Sequence, residues 1–196
     1  MTNYRRNFVR GGSYFFTVNL ADRRLPLLTK HVDLLRAVFR DTRARHPFTI
    51  EAIVVLPDHL HAIWTLPEDD ADFATRWRLI KSTFSRALPE NEIVRWVESS
   101  EIHHGDMPRS ERISRSRASK GERGIWQRRY WEHTLRDETD FARHVDYIHF
   151  NPVKHGHAGR VEDWPHSSFH RMVRLGVYPQ DWAGNMWIEG SDFGER

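Results

Sequence analysis

The chain has 196 residues, with 30 Lys and Arg against 27 Asp and Glu, a formal charge of +3, and 39% hydrophobic and 29% charged residues. At roughly 150 residues per domain this predicts one domain, long enough to bury a core without staples. The composition excludes a fully disordered chain and a membrane-spanning one: the longest apolar run, Ala52 to Pro57, falls far short of the roughly 18 residues a spanning helix needs.

In chain order, Gly11-Gly12 is a turn signal, and the aromatic and β-branched run from Ser13 to Leu20 reads as a strand. A charged loop follows. Leu34, Leu35, Val38 and Phe39 recur at helical spacing, which predicts a helix over His31 to Arg45. Phe48 to Leu56 and His59 to Leu66 read as two strands joined by the turn Pro57-Asp58. Phe73, Trp77, Ile80 and Phe84 mark one face of a helix over Asp72 to Ala87, with Arg76, Arg78, Lys81 and Arg86 on its other face. Periodicity stops from about 98 to 124, where Pro, Gly, Ser and Arg predict a basic loop insertion. Gln127 to Leu135 is a fourth strand. Asp137, with Asp140 three residues on, is an N-cap signal for a helix carrying Phe141, Val145 and Ile148 on one face. Asn151-Pro152 reads as its end. The rest is Gly-, His- and Trp-rich and predicts only short elements.

This order predicts an α+β fold: a ferredoxin-like βαββαβ antiparallel sheet with helices on one face, followed by a C-terminal helix and a tail. Such a sheet leaves its other face for a site.

The basic residues are mostly Arg, which forks onto phosphate oxygens better than Lys does. There are 13 histidines and no cysteine, so disulfides, thiolate metal sites and a Cys nucleophile are excluded. Any metal must be held by imidazole, carboxylate or amide. No apolar leader follows Met1, so a cytoplasmic protein is expected.

His59 and His61 sit on a predicted strand at i and i+2, so both imidazoles face one side while Leu60, Ala62 and Trp64 face the other. Two converging imidazoles make most of a metal site, although most such pairs are ordinary sheet residues. Tyr147, His144 and Asn151 share one helix face; a tyrosine there is by default a boundary residue. The stretch Gln127-Arg128-Arg129-Tyr130-Trp131-Glu132-His133 mixes guanidinium groups and rings. That suits a single strand of nucleic acid, or a strand with alternating core and surface positions. The run from Arg109 to Arg123 could track a phosphate backbone or be a solvated insertion.

Together these segments are more specific than apart. A His-hydrophobic-His strand followed by a lone helical tyrosine resembles the HUH single-tyrosine transposases of the IS200/IS605 type. The chain is closer still to their REP-associated relatives, the REP-associated tyrosine transposases. The likeness is carried by Tyr4-Arg5-Arg6 with Gly11-Gly12, Phe15 to Leu20, Val54 to His61, Trp126-Gln127, Tyr130 to His133, His144 to Gly156, and Trp164-Pro165-His166-Ser167-Ser168. It spans nearly the whole chain except the loop.

The resemblance implies a catalytic domain over 1–156, with the insertion at about 98–124, and a DNA-contacting tail over 157–196. It implies a single-stranded DNA endonuclease and strand transferase acting on REP-type hairpins through a 5′-phosphotyrosine intermediate. Tyr147 is the implied nucleophile. His59 and His61 are the implied ligands of Mg²⁺ or Mn²⁺, with Asn151 where IS200-type enzymes carry Gln, one methylene longer. Tyr4, Arg5, Arg6, Arg76, Arg78, Lys81, Arg128 and Arg129 are candidate DNA contacts, and His144 and Glu132 are candidates to assist the tyrosine as acid or base. A monomer is expected, with the tyrosine helix acting on its own site. Two rivals stand beside this reading: a non-cutting nucleic-acid-binding module of the same fold, and a metal-dependent hydrolase, which would need more carboxylate ligands.

Overall fold

The protein is described by a computed structural model covering residues 6–89 and 123–184. Its elements are β1 (Ser13–Asn19), α1 (Leu27–Lys30), α2 (Val32–Arg45), β2 (Thr49–Val55), β3 (His59–Thr65), α3 (Phe73–Ala87), β4 (Trp131–Thr134), α4 (Glu138–Lys154), a 3-10 turn (Val161–Asp163) and α5 (Phe169–Arg174). The strands form one antiparallel sheet in the order β2-β3-β1-β4, so the ferredoxin-like α+β expectation holds. The fourth strand is shorter than the sequence predicts. The stretch before it, Gln127 to Tyr130, runs as irregular chain. Tyr4, Arg5 and nearly all of the basic insertion lie outside the described residues.

Both faces of the sheet are covered. Alternation along β1 and β3 sends Tyr14, Phe16, Val18, Leu60, Ala62 and Trp64 to one face, where α2 and α3 pack on them. Trp64 stacks on Trp77 of α3 with ring centroids 4.1 Å apart. The opposite face carries Phe15, Ala52, Val54 and Ile63, and α4 lays Val145, Tyr147 and Ile148 onto it. The face expected to be open for a site is therefore roofed by the tyrosine helix, and the site lies between helix and sheet.

Helix α4 starts where the sequence predicts. The Asp137 carboxylate accepts from the Asp140 N–H at 2.8 Å, and the Asp140 carboxylate accepts from the Arg136 N–H at 3.1 Å. It does not end at Asn151-Pro152. The helix continues through Pro152 to Lys154, and Gly156, at φ 69°, turns the chain out. A proline one turn from a helix end removes one backbone hydrogen bond but leaves the last turn intact. That extra turn carries Lys154.

The segment after 157, expected as a tail, meets the sheet edge through His166 to Ser168. The Val55 N–H donates to His166 O, the Ser168 N–H donates to Ile53 O, and Ser168 Oγ accepts from the Ile53 N–H. These bonds satisfy the outer edge of β2, which would otherwise invite another chain to pair.

Arg76 departs from expectation. It is 3% exposed, and its guanidinium donates to the carbonyls of His46, Pro47 and Asp72 and to the Asp70 carboxylate at 2.6–3.3 Å. Its donors are spent on pinning α3 to the chain between α2 and β2, so it is not available to a phosphate. Arg76→Met should lower unfolding stability by roughly 3 kcal/mol, because it strands buried acceptors and Asp70. DNA affinity per folded molecule should stay unchanged. Denaturant unfolding together with a binding titration checks both outcomes.

Candidate active site

The site begins with β3. His59 and His61 pair with Asn19 and Thr17 of β1 in register, and both imidazoles are 0% exposed on the face covered by α4. Their ring centroids lie 4.9 Å apart at 85°. Each ring is oriented through Nδ1. His61 Nδ1 is 2.9 Å from Thr17 Oγ1. His59 Nδ1 is 2.8 Å from the Asp58 carboxylate, which also takes Arg23 Nε at 2.6 Å. An ionised carboxylate only accepts, so the proton of His59 sits on Nδ1 and Nε2 keeps its lone pair. That Nε2 is buried and has no hydrogen-bond partner among the described residues.

The electrostatics favour neutral imidazoles. Burial lowers the pKa of His59 against the raising pull of Asp58. Burial, reinforced by His59, His155 and Lys154, holds that of His61 well below the usual value. Burial works to raise Asp58, but the His59 hydrogen bond and Arg23 outweigh it and keep the carboxyl far below its ordinary range. A neutral imidazole whose second nitrogen is held by a carboxylate is the form that ligates a metal. The donor set therefore fits a divalent ion.

Tyr147 comes down from α4 onto the same spot. It is 0% exposed, with its ring 5.3 Å from that of His61 and 6.1 Å from that of Phe15. Its hydroxyl accepts a hydrogen bond from Lys154 Nζ at 3.0 Å. Asn151, one turn past Tyr147, is also buried. His155 caps the helix with its ring 5.2 Å from that of His59. Burial, with His59 and Lys154 nearby, lowers its pKa to about 4. The same chain thus supplies both the imidazole pair and the tyrosine.

The two candidate assistants of the tyrosine part company. Glu132 pairs with Phe16 across β1 and β4 and so shares the α3 face of the sheet, opposite to Tyr147. It forms an ion pair there with Arg6 at 3.3 Å. It is not a proton acceptor for the tyrosine. His144 is on the correct face, one turn before Tyr147. Its Nδ1 lies 2.7 Å from Asp140 O, and its ring stacks on His133 at 4.9 Å.

His133, Asp140 and His144 form a second cluster, with one ligating atom from each within 4.8 Å of the others. Two imidazoles and a carboxylate at that spacing can coordinate a divalent ion. The Asp140 carboxylate already accepts from the Arg136 N–H and faces His133 Nε2 at 2.8 Å.

The expected DNA contacts divide as well. A groove of about 600 Å³ runs between α3 and the chain before β4, lined by Arg6, Arg78, Lys81, Arg86, Arg128 and Tyr130 among others. Arg78, Arg86 and Arg128 are exposed, as is Arg129 nearby. Lys81 Nζ donates to Gln127 O at 2.6 Å. Arg6 lies over the Tyr130 ring at 4.6 Å. Sequence reasoning missed Asp58, His155 and Lys154 as site residues. The signal for Lys154 was its spacing of two helical turns from Tyr147.

No family model matches the chain. It is 44% identical over 198 residues to the REP-associated tyrosine transposase of Escherichia coli, covering 100% of this chain and 98% of that protein. A Haemophilus influenzae protein assigned provisionally to the same class is 43% identical over 185 residues, covering 94% of this chain and 95% of the relative. Among solved structures, a REP-associated tyrosine transposase bound to a REP hairpin matches with a TM-score of 0.78 and 43% identity, covering 100% of this chain and 98% of the other. Among the described residues no helix is long and apolar enough to cross a membrane.

The Asp58–His59 contact has a measurable consequence. Asp58→Asn should weaken Mn²⁺ binding by about 10- to 100-fold, because the imidazole loses the ionised acceptor that fixes its tautomer and raises its basicity. Calorimetric titration of the folded variant checks it.

Proposed function

The chain belongs to the REP-associated tyrosine transposases, and on that premise we propose that it cuts and rejoins single-stranded DNA beside a REP-type hairpin, with Tyr147 as the nucleophile. The observation that carries the reading is the packing of Tyr147 against His61, 5.3 Å between ring centroids, in a pocket where His59 and His61 are neutral and oriented. In this reading Tyr147 Oη attacks the scissile phosphorus and the P–O3′ bond breaks. The phenol proton passes to solvent, and the products are a 5′-phosphotyrosine and a free 3′-OH. The new ester keeps the energy of the phosphodiester, so a second 3′-OH can reverse the step and rejoin strands. One nucleophilic tyrosine per chain allows one covalent strand per subunit. Because imidazoles and tyrosine come from one chain, a monomer suffices.

His59 Nε2, His61 and the Asn151 amide would hold the divalent ion. When bound, such an ion polarises the phosphate oxygens and offsets charge that develops on them. Mn²⁺ accepts imidazole more readily than Mg²⁺, which favours oxygen ligands, so Mn²⁺ is the better ion in vitro. We place the ion here rather than at His133, Asp140 and His144 because the ring packed against Tyr147 is that of His61. One oxygen of the Asp140 carboxylate accepts from the Arg136 N–H.

The hairpin is proposed to lie along the basic groove beside α3, with Arg78, Lys81, Arg128 and Arg129 on its phosphates and Arg6 and Tyr130 at the rim. The segment beyond 157 contributes by bracing β2. A DNA substrate argues for action in the cytoplasm.

Incubation with a labelled hairpin oligonucleotide bearing single-stranded flanks, in Mn²⁺, separates the readings. Tyrosine chemistry leaves a denaturation-resistant adduct, hydrolysis leaves cut DNA without one, and a binding module leaves only a gel shift. Tyr147→Phe should abolish the adduct and keep hairpin affinity within a few-fold; cleavage at the wild-type rate by that variant would remove Tyr147 from the mechanism. The His59→Ala, His61→Ala double variant should lose metal-dependent cleavage while still shifting the hairpin. Replacing Arg78 or Arg128 by Ala should weaken binding uniformly across sequences. Each should lower the slope of log affinity against log salt by about one.

A further inference from the structure

We propose that Lys154 is a second catalytic residue, whose ammonium holds the tyrosine oxygen and carries its negative charge as it attacks and as it leaves. The proposal rests on the reading of Tyr147 as nucleophile and adds the group that assists it, a role for which sequence reasoning offered only His144 and Glu132.

The geometry is specific. Lys154 Nζ donates to Tyr147 Oη at 3.0 Å and lies 4.7 Å from the centroid of the same ring. The two residues are seven apart on α4, two turns and within about 20° of one face. The contact exists only because the helix runs on through Pro152. Tyr147 is fully buried and Lys154 is partly exposed, so the ammonium links a buried oxygen to the side from which a phosphate can arrive. Glu132 is on the wrong face of the sheet, and His144 is engaged with Asp140.

The chemistry follows from charge. Lys154 is no base here: as an ammonium it accepts no proton, and the phenol proton goes to solvent. Its part is that of a preorganised donor aimed at an oxygen whose charge changes in the reaction. In the forward step Oη forms a bond to phosphorus, the P–O3′ bond breaks, and O3′ leaves with a proton. In the reverse step a 3′-OH forms its bond to phosphorus while Oη departs as a phenolate, which the ammonium stabilises. Both directions cross one transition state, so loss of Lys154 slows both.

The chain contains no cysteine, so Lys154→Cys introduces a unique thiol. Aminoethylation then rebuilds an ammonium at nearly the original reach, and carbamidomethylation adds a neutral group of similar bulk. Single-turnover adduct formation is measured on the flanked hairpin oligonucleotide in Mn²⁺, with rejoining from isolated adduct and hairpin affinity measured alongside. Lys154→Cys should slow both adduct formation and rejoining, by about 100-fold or more, with affinity changed less than threefold. Aminoethylation should recover most of the rate and carbamidomethylation none; Lys154→Arg should recover part.

Equal recovery by both reagents, or recovery by neither in protein of native circular dichroism, overturns the charge assignment. So does a loss confined to hairpin affinity. Tyr147→Phe is run in parallel: if it still forms the adduct, the nucleophile reading fails and Lys154 with it. If it is inert while Lys154→Cys reacts at the wild-type rate, only the Lys154 proposal fails.

Discussion

Everything at this site depends on α4 packing against the Phe15 face of the sheet. That one contact, made by Val145, Tyr147 and Ile148 over Phe15, Ala52, Val54 and Ile63, brings a tyrosine and two histidines from distant parts of the chain to within ring contact. It also removes them from water. Tyr147, His59, His61 and Asn151 all have 0% exposure, an arrangement that apolar packing must stabilise, because burying polar groups costs free energy unless each has a partner. The partners are short-range and particular: Asp58 for His59, Thr17 for His61 and Lys154 for Tyr147.

Burial also sets the protonation states. Imidazoles out of water stay neutral, and the carboxylate beside His59 fixes which nitrogen carries the hydrogen. The pair is thereby not itself cationic. The positive charge of the pocket comes instead from Lys154 and Arg23 at its margins. Both help to lower the pKa of His61. A phosphate diester entering such a pocket meets charge at the rim and Lewis bases at the floor.

Much of the fold was legible because its signals are local and periodic. Alternation along β3 separated His59 and His61 from Leu60, Ala62 and Trp64, and the structure keeps that division on the two faces of the sheet. The Asp137–Asp140 cap was legible for the same reason. What could not be read was tertiary. Glu132 is a candidate to assist the tyrosine by resemblance alone, whereas its strand parity, readable only once β4 is paired with β1, turns it to the other face. The Asn-Pro signal was a correct statement about propensity, but packing of Asn151 and Pro152 outweighed it. Lys154 carries no motif signal of its own, and only the tertiary course of α4 past Pro152 brings it to the Tyr147 oxygen. Of the site itself, the imidazoles and tyrosine were legible as a pattern, and their mutual geometry was not.

The arginines make the same point about charge. Counting them along the helix over 73–87 suggests a basic face, but the structure sorts them by work done. Arg76 ties together carbonyls of the chain between α2 and β2. Arg123 donates to Ser85, Leu88 and Pro89 carbonyls at the C-terminal end of α3. Arg171 reaches the carbonyls of Ile50 and Glu51 on β2. Guanidinium suits this because its planar fork serves several carbonyls at once. Arg78, Arg86 and Arg128, by contrast, are exposed and line the groove. A net charge of +3 therefore understates the local charge of the groove, which Arg6, Arg78, Lys81, Arg86, Arg123 and Arg128 line together. A phosphate backbone responds to that local concentration of charge and not to the total.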